Sequence, residues 1–192
     1  MKNQYFADKR DYVKYDLLLE LLSYESENRL RQPRFLQWIS ILMLTESDQT
    51  KEGSKKQFEV GTRRLELHSF LSQFIKQRSF YVSHLNGLAQ HLQANYVYHP
   101  YLDTSNFRHE QRDTYFKSIP RPYFEHSLIF CDPDIGIETG TKSYMNKMGP
   151  EKYLMWGELK DLTERAGEGC GFVIYQHLQK NSAAHIGDME AK

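Results

Sequence analysis

The sequence predicts one α/β domain in which a mostly parallel sheet is covered by helices on both faces, giving three layers. Two observations lead to this fold class. The runs 126–131 (HSLIFC) and 171–175 (GFVIY) are dominated by apolar residues, as strands buried on both faces are. Segments with helical spacing alternate with such runs along the chain, which is typical of parallel sheets joined by helical crossovers. The length of 192 residues suits a single domain over 1–192.

The first predicted element is a helix over 11–24, where apolar residues recur at helical spacing. Asp8 or Asp11 is its candidate N-cap. Residues 25–34 are polar and contain a proline, so they predict a loop, and we treat 1–34 as a helical lead-in to the sheet. The stripe that defines the helix consists of Val13, Leu17, Leu18, Leu21 and Leu22.

The middle of the chain predicts two strands with two helices between them. Apolar density indicates the strands, and apolar spacing indicates the helices. In order, these elements are a buried strand over 35–44, a mobile polar loop over 45–57, helices over 67–75 and 82–92, a strand over 95–99 that Pro100 ends, and a helix over 107–118.

The last third of the chain predicts two more strands with one helix between them. Pro150 suits the first turn of that helix, and Gly167 and Gly169 suit its end. In order, we expect a strand over 126–131, a polar loop up to Gly149, an amphipathic helix that begins at Pro150 and buries Tyr153, Leu154, Leu159 and Leu162, a strand over 171–175, and a frayed tail over 179–192.

Composition excludes several classes of protein. Lys plus Arg equals Asp plus Glu at 25 each, whereas non-specific binding of DNA or RNA requires a surplus of cations. The chain has two cysteines, Cys131 and Cys170, and no CxxC pair, which favours free thiols in a reducing compartment over a zinc site. No signal peptide or membrane-spanning run is visible. We therefore expect a cytoplasmic protein without a membrane partner.

The carboxyl ends of the predicted strands are where a ligand is expected, because open parallel sheets bind ligands at that edge. Polar residues follow each strand. They are Thr45, Glu46, Ser47 and Asp48 after the first strand, His99 and Tyr101 at the second, Asp132, Asp134 and Glu138 after the third, and Gln176 and His177 after the fourth.

The loop 132–138 holds the densest set of acids, with three carboxylates within seven residues. They repel one another unless a cation, a donor or a proton separates them. They are candidates for a divalent metal site with oxygen ligands, or for a site where Asp132 orients a substrate amine or hydroxyl while another acid acts as base. The alternative is a turn in which Asp134 caps the backbone and Glu138 is solvated.

Two other features are candidates for the site. His177 ends a strand and can act as ligand, base or hydrogen-bond donor, or simply as a structural histidine. No HxxxH or HxH pair occurs, so no histidine-based zinc site is predicted. The polar and aromatic run 3–16 is either a lid over the active edge or an ordinary capped and salt-bridged helix start.

Three parts of the chain together resemble a known group. They are 3–8 with 11–18 (NQYFAD, DYVKYDLL), 128–138 (LIFCDPDIGIE), and 152–156 with 174–177 (KYLMW, IYQH). They are similar to an uncharacterised bacterial family with an F-x-D-P-D-x-G-[LI]-E motif, over most of the chain. More distantly they resemble the three-Cys-motif partner proteins and the J-type ribosomal RNA adenine methyltransferases.

The distant resemblance implies a Rossmann-like, methyltransferase-like fold, here with a reduced number of strands, and S-adenosylmethionine as cofactor. Asp132 and Pro133 match the start of the adenine methyltransferases' D-P-P-aromatic-E loop, whereas Asp134 and Ile135 replace its second proline and its aromatic residue. Asp8 and Lys14 match the N-terminal run of the same methyltransferases. Taken together with the residues at the strand ends and in the run 3–16, the candidate catalytic residues are Asp132, Asp134, Glu138 and His177, and the candidate cofactor-binding residues are Asn3, Tyr5, Asp8, Lys14 and Thr45.

Three functions follow, in order of preference. The first is a methyltransferase-like domain that binds S-adenosylmethionine or a related nucleotide and acts on a small-molecule nucleotide or nucleic-acid substrate. The second is a metal-dependent nuclease or phosphodiesterase in which Asp132, Asp134 and Glu138 hold Mg²⁺. The third is a non-catalytic partner protein with a degenerate site.

Overall fold

The computed structural model describes residues 2–27, 35–48, 56, 64–94, 97–101, 107–139 and 146–177. Four strands form a sheet in the order β2-β1-β3-β6, and every neighbouring pair is parallel. The predicted parallel α/β sheet is thus confirmed. The strands are β1 (Gln37–Ile41), β2 (Val97–Tyr101), β3 (Ser127–Cys131) and β6 (Gly171–Ile174), and a separate parallel pair is formed by β4 (Gly136–Ile137) and β5 (Tyr153–Leu154).

In the described part of the chain, helices lie before and between these strands. The α-helices are α1 (Lys9–Glu27), α2 (Leu65–Gln77), α3 (Leu88–His91), α4 (Arg112–Lys117) and α5 (Trp156–Arg165). Short 3₁₀ helices span Asn3–Tyr5, Val82–Gly87, His109–Gln111, Arg121–Phe124 and Pro150–Lys152. None of the described helices combines the length and the apolar character needed to cross a bilayer.

Alternate residues of the strands pack into two separate hydrophobic clusters. Trp38, Leu128 and Phe130 belong to the cluster that α1 and α2 cover. Ile39 and Ile129 belong to the cluster that α4 and α5 cover. Because successive side chains of a strand point to opposite faces, the two clusters lie on opposite faces of the sheet. The molecule is therefore layered helix, sheet, helix.

The strand order of the described sheet contains a reversal of winding. After β1 the chain moves to β2 on one side, and then returns past β1 to β3 and β6 on the other side. The direction of winding therefore reverses between β1 and β3. In doubly wound sheets such a reversal leaves a crevice beyond the carboxyl ends of the two strands concerned.

The buried face of α1 differs from the predicted stripe. Val13 and Leu17 are 57% and 50% exposed, so the prediction was wrong for these two residues. Apolar residues surround much of this helix, so spacing alone does not identify the inner face. Contacts with the sheet determine which face of α1 is buried. One of them is the packing of Tyr15 on Trp38, with ring centres 5.9 Å apart. The buried apolar set comprises Tyr12, Tyr15, Leu18, Leu19 and Leu22.

The predicted helix from Pro150 is the second correction. Tyr153 and Leu154 form β5 instead, paired in register with β4. The helix starts only at Trp156, whose backbone N–H donates to Glu138 Oε1 over 2.8 Å. The loop expected up to Gly149 thus contains β4, a two-residue strand that is too short to leave a periodic pattern.

Smaller corrections concern the ends of elements. The first strand is narrower than 35–44, and residues 25–27 continue α1 rather than forming a loop. Pro100 lies inside β2, where it is tolerated because β2 ends the described sheet and an edge strand can spare an N–H. The segments 82–92 and 107–118 begin as 3₁₀ turns. The predictions for 28–34, most of 49–57 and 179–192 lie outside the described residues.

Candidate functional site

A buried ion cluster lies where β3 ends. Lys14 Nζ lies 3.0 and 3.1 Å from the two carboxylate oxygens of Asp132 and 3.3 Å from Asp11 Oδ1. It also lies 4.0 Å from the centre of the Tyr175 ring. Asp132 follows β3, Tyr175 follows β6, and Asp11 and Lys14 face them from the first turns of α1. We call these four residues the lysine cage.

Burial dominates the electrostatics of this cage. Asp132 is 1% exposed and Asp11 is fully buried. Burial raises the pKa of Asp11 to about 6, with Asp8 and Asp132 adding to the effect and Lys14 opposing it. Burial alone would lower the pKa of Lys14, but the Asp132 and Asp11 carboxylates reverse this and raise it. The lysine is therefore held as an ammonium ion.

The N-terminal segment crosses the same edge of the sheet. Lys2 Nζ forms an ion pair with Asp48, which follows β1, and lies 3.5 Å from Asp134 Oδ2, which follows β3. The amide of Gln4 also bonds Asp48, as donor over 3.0 Å and as acceptor over 2.8 Å. The segment thus connects the ends of the two strands that flank the reversal of winding.

The segment also begins α1. Asp8 Oδ1 accepts hydrogen bonds from the backbone N–H groups of Arg10 and Asp11 at 2.8 and 3.0 Å, as a helix N-cap does. Lys56 Nζ donates to the carbonyls of Gln4 and Phe6 at 2.9 and 2.5 Å. Both sequence-based readings of this run, a cover over the edge and a capped helix start, therefore describe part of its geometry.

An open cavity of about 440 Å³ lies at the carboxyl end of β1, and Lys2 in its lining lies 3.5 Å from Asp134. It is lined by Lys2 and by residues 45–48, 107–110 and 151–152. Charges of both signs face it. The acids are Glu46, Asp48, Glu110 and Glu151, and the bases are Lys2, Arg108, His109 and Lys152.

Three predicted cofactor-binding residues have different positions. Thr45 is buried and lines the cavity. The hydroxyl of Tyr5 lies 3.5 Å from Nζ of Lys2, which lines the cavity. Asn3 accepts a hydrogen bond from the Val82 backbone N–H over 3.1 Å, and this contact anchors the N-terminal segment to the helical layer.

The three acids of the 132–138 loop do not converge. Asp132 holds Lys14, Asp134 lies beside Lys2, and Glu138 accepts from the first N–H of α5. Among the described residues, no group of three or more His, Cys, Asp or Glu is arranged to hold a metal ion. The loop therefore distributes its carboxylates among three separate contacts.

His177 lies at the same edge as Asp132. Its backbone N–H donates to Ile135 O over 3.0 Å, and its ring centre lies 4.9 Å from that of Tyr175. Burial lowers the pKa of His177, and Arg10 and Lys14 lower it further, whereas Asp132 and Asp134 oppose them. The imidazole is thus neutral at pH 7, as a hydrogen-bonding group or a base requires.

Several residues of this edge were not predicted as site residues from the sequence. The sequence predicts Asp11 as a helix cap, although its i,i+3 spacing to Lys14 also indicates an ion pair on one helix face. For Tyr175 the sequence predicts only a place at the end of a strand. Gln176 was noted without a role, and its Oε1 accepts from the Ile137 N–H over 2.7 Å, which fastens β4 to the end of β6. Nothing in the sequence pattern indicates Lys2.

Comparisons with models of known protein families, with curated proteins and with solved structures gave no significant match to this chain.

Proposed function

We propose that this chain is a methyltransferase-like domain that binds S-adenosylmethionine or a related nucleotide in the cavity at the end of β1. The observation that carries the proposal is the place of the cavity, at the carboxyl edge where the winding of the sheet reverses. Open α/β sheets bind their ligands at that point. Numbered in chain order, the four strands of the described sheet have the order 2-1-3-4, which equals a Rossmann order without two outer strands or a flavodoxin-like order without its last strand, in agreement with a reduced sheet.

The size and charges of the cavity suit such a ligand. A volume of about 440 Å³ lies within the range of about 300–1,000 Å³ that small-molecule pockets occupy. Acidic and basic side chains line it together, so it complements a zwitterion better than a polyanion. S-adenosylmethionine carries an ammonium and a carboxylate on one amino-acid moiety. Arg108 and Lys152 are placed to meet the carboxylate, and Glu46 or Glu110 the ammonium.

The nuclease hypothesis has weaker support. It requires Asp132, Asp134 and Glu138 to share a metal ion, and each of them instead has its own contact elsewhere. Metal-dependent phosphoryl transfer needs such oxygen ligands around one ion. The geometry therefore favours the methyltransferase-like function over the nuclease.

Calorimetric titration with S-adenosylmethionine tests the proposal. We expect saturable binding by the wild-type chain, weakened about tenfold or more in Arg108→Ala, because a hydrogen bond to a charged group contributes about 1.5–3 kcal/mol. Arg121→Ala is the matched control. Arg121 is also exposed but precedes β3, at the opposite edge of the sheet. Absence of heat at high protein concentration, or equal effects of both variants, would count against the proposal.

A further inference from the structure

The lysine cage has the composition of a binding site for an organic cation. Two carboxylates and the face of an aromatic ring surround the ammonium of Lys14. We propose that Asp11, Asp132 and Tyr175 form a site for an alkylammonium or sulfonium ion, and that Lys14 fills it in the conformation described here.

The charges of the cage leave it incompletely neutralised. Two carboxylates face one ammonium, and Lys14 occupies only Oδ1 of Asp11. The second oxygen, Oδ2, is buried and makes no hydrogen bond of normal geometry, although the Tyr15 hydroxyl interacts with Asp11, and burial together with that carboxylate raises the pKa of Tyr15. A buried carboxylate oxygen that is so weakly paired is costly. One ammonium group therefore does not balance the two carboxylates, and the site favours further positive charge.

The ring of Tyr175 selects the kind of cation. A cation 4.0 Å above an aromatic face interacts with the ring quadrupole, and this interaction favours organic cations that shed water easily. A hard divalent metal ion would need six or more oxygen ligands, whereas Lys14 Nζ in this cage contacts two carboxylates and the face of an aromatic ring. Alkylammonium and sulfonium ions fit both parts of the site.

A ligand can approach the cage from the end of β6. Tyr175 and His177 are only partly buried, whereas Asp132 is enclosed. Entry requires Lys14 to leave, and Lys14 sits in the second turn of α1, just after the residues that Asp8 caps. Under the proposed function, the cation would be the sulfonium of S-adenosylmethionine. The identity of the cation in this inference therefore rests on the proposed function.

Removal of the internal lysine gives the first test. In Lys14→Ala, n-butylammonium can replace the missing side chain. We expect a saturable rise in Tm, about 4 °C at ten times the Kd, above any rise caused by sodium chloride at equal concentration. Wild type and Lys117→Ala, which loses an exposed lysine, should show a much smaller rise, because the cation must first displace Lys14, and Asp132→Asn in the Lys14→Ala background should abolish the rise. A response to both salts alike would overturn the proposal.

The wild-type chain gives a second test that does not depend on the folding of a variant. Amine acetylation followed by mass spectrometry should find Lys14 protected, and trimethylsulfonium chloride should increase its labelling several-fold relative to sodium chloride. No increase, together with no rescue of Lys14→Ala, refutes the cage as a cation site. S-adenosylmethionine, compared with the uncharged S-adenosylhomocysteine, separates the two proposals. If S-adenosylmethionine and S-adenosylhomocysteine both bind and the labelling of Lys14 does not increase, the displacement of Lys14 by the sulfonium is overturned. If n-butylammonium rescues Lys14→Ala but neither nucleoside binds, only the proposed function is overturned.

Discussion

The lysine cage and the open cavity lie at the same edge of the sheet, and each contains a pair of a lysine and an aspartate. The two pairs differ in the solvent exposure of their side chains. In the cage, Asp132 and Lys14 are enclosed, with side chains 2% and 9% exposed. At the cavity, Lys2 is also buried, but its partner Asp48 has a side chain that is 38% exposed. A fully buried pair becomes costly when one member is removed, whereas solvent screens the interaction when one member is exposed. The difference between the two pairs therefore lies in the exposure of the carboxylate.

The largest effect should come from matched removal of the two aspartates. Asp132→Ala leaves the Lys14 ammonium buried beside a single carboxylate, and we expect it to lower the free energy of unfolding by about 3–5 kcal/mol. Asp48→Ala should cost less, about 1 kcal/mol, because Asp48 is partly exposed and Asp134 remains 3.5 Å from the Lys2 ammonium. Urea unfolding at pH 7 measures both. Equal losses would show that the two regions do not differ as described.

A second prediction uses pH to sharpen the contrast. The pKa of Asp11 rises from 3.8 to about 6 on folding, so the folded chain binds this proton more tightly than the unfolded chain. The free energy of unfolding should therefore fall as pH rises from about 4 to about 6, by about 3 kcal/mol from this group.

The matched control for that titration is on the surface. Asp11→Asn should flatten the pH dependence of Tm, whereas Asp113→Asn, at an exposed carboxylate paired with Lys117, should leave it unchanged. If the wild-type chain and Asp11→Asn lose stability in parallel over this window, Asp11 does not carry the raised pKa.

The smallest effect concerns Glu138, which belongs to neither region. Its carboxylate accepts from the Trp156 N–H at the start of α5, so Glu138→Ala should cost about 1 kcal/mol, as loss of a helix cap does. Binding of S-adenosylmethionine should not change. Thermal unfolding and calorimetry check the two parts, with the exposed Glu164→Ala as control. A tenfold loss of affinity for S-adenosylmethionine in Glu138→Ala would show that Glu138 belongs to the binding site.

Sequence reasoning succeeded where a residue pattern has one physical meaning. The apolar run of β3 fits only a strand covered on both faces, and all five of its residues are buried. The stripe of α2 likewise defines one inner face, on which Leu67, Phe70 and Leu71 are buried. The cavity and Asp132 both lie at the carboxyl edge of the parallel strands, and ligand binding at that edge stays a prediction.

The failures have a common cause, since they depend on contacts between distant parts of the chain. The inner face of α1 is decided partly by Lys14 and Asp132, which are 118 residues apart. The strands β4 and β5 exist because two-residue segments pair with each other. The same long-range pairing turned Asp132, expected to face a substrate amine, toward an amine of its own chain.

The central claim, that the edge between β1 and β3 binds a ligand, is tested most directly by a crystal structure of the chain soaked with S-adenosylmethionine. The account predicts ligand density in the cavity beside Thr45 and Arg108, with the N-terminal segment in contact. Density in the charged groove between α4 and α5, with the edge cavity empty, would contradict it.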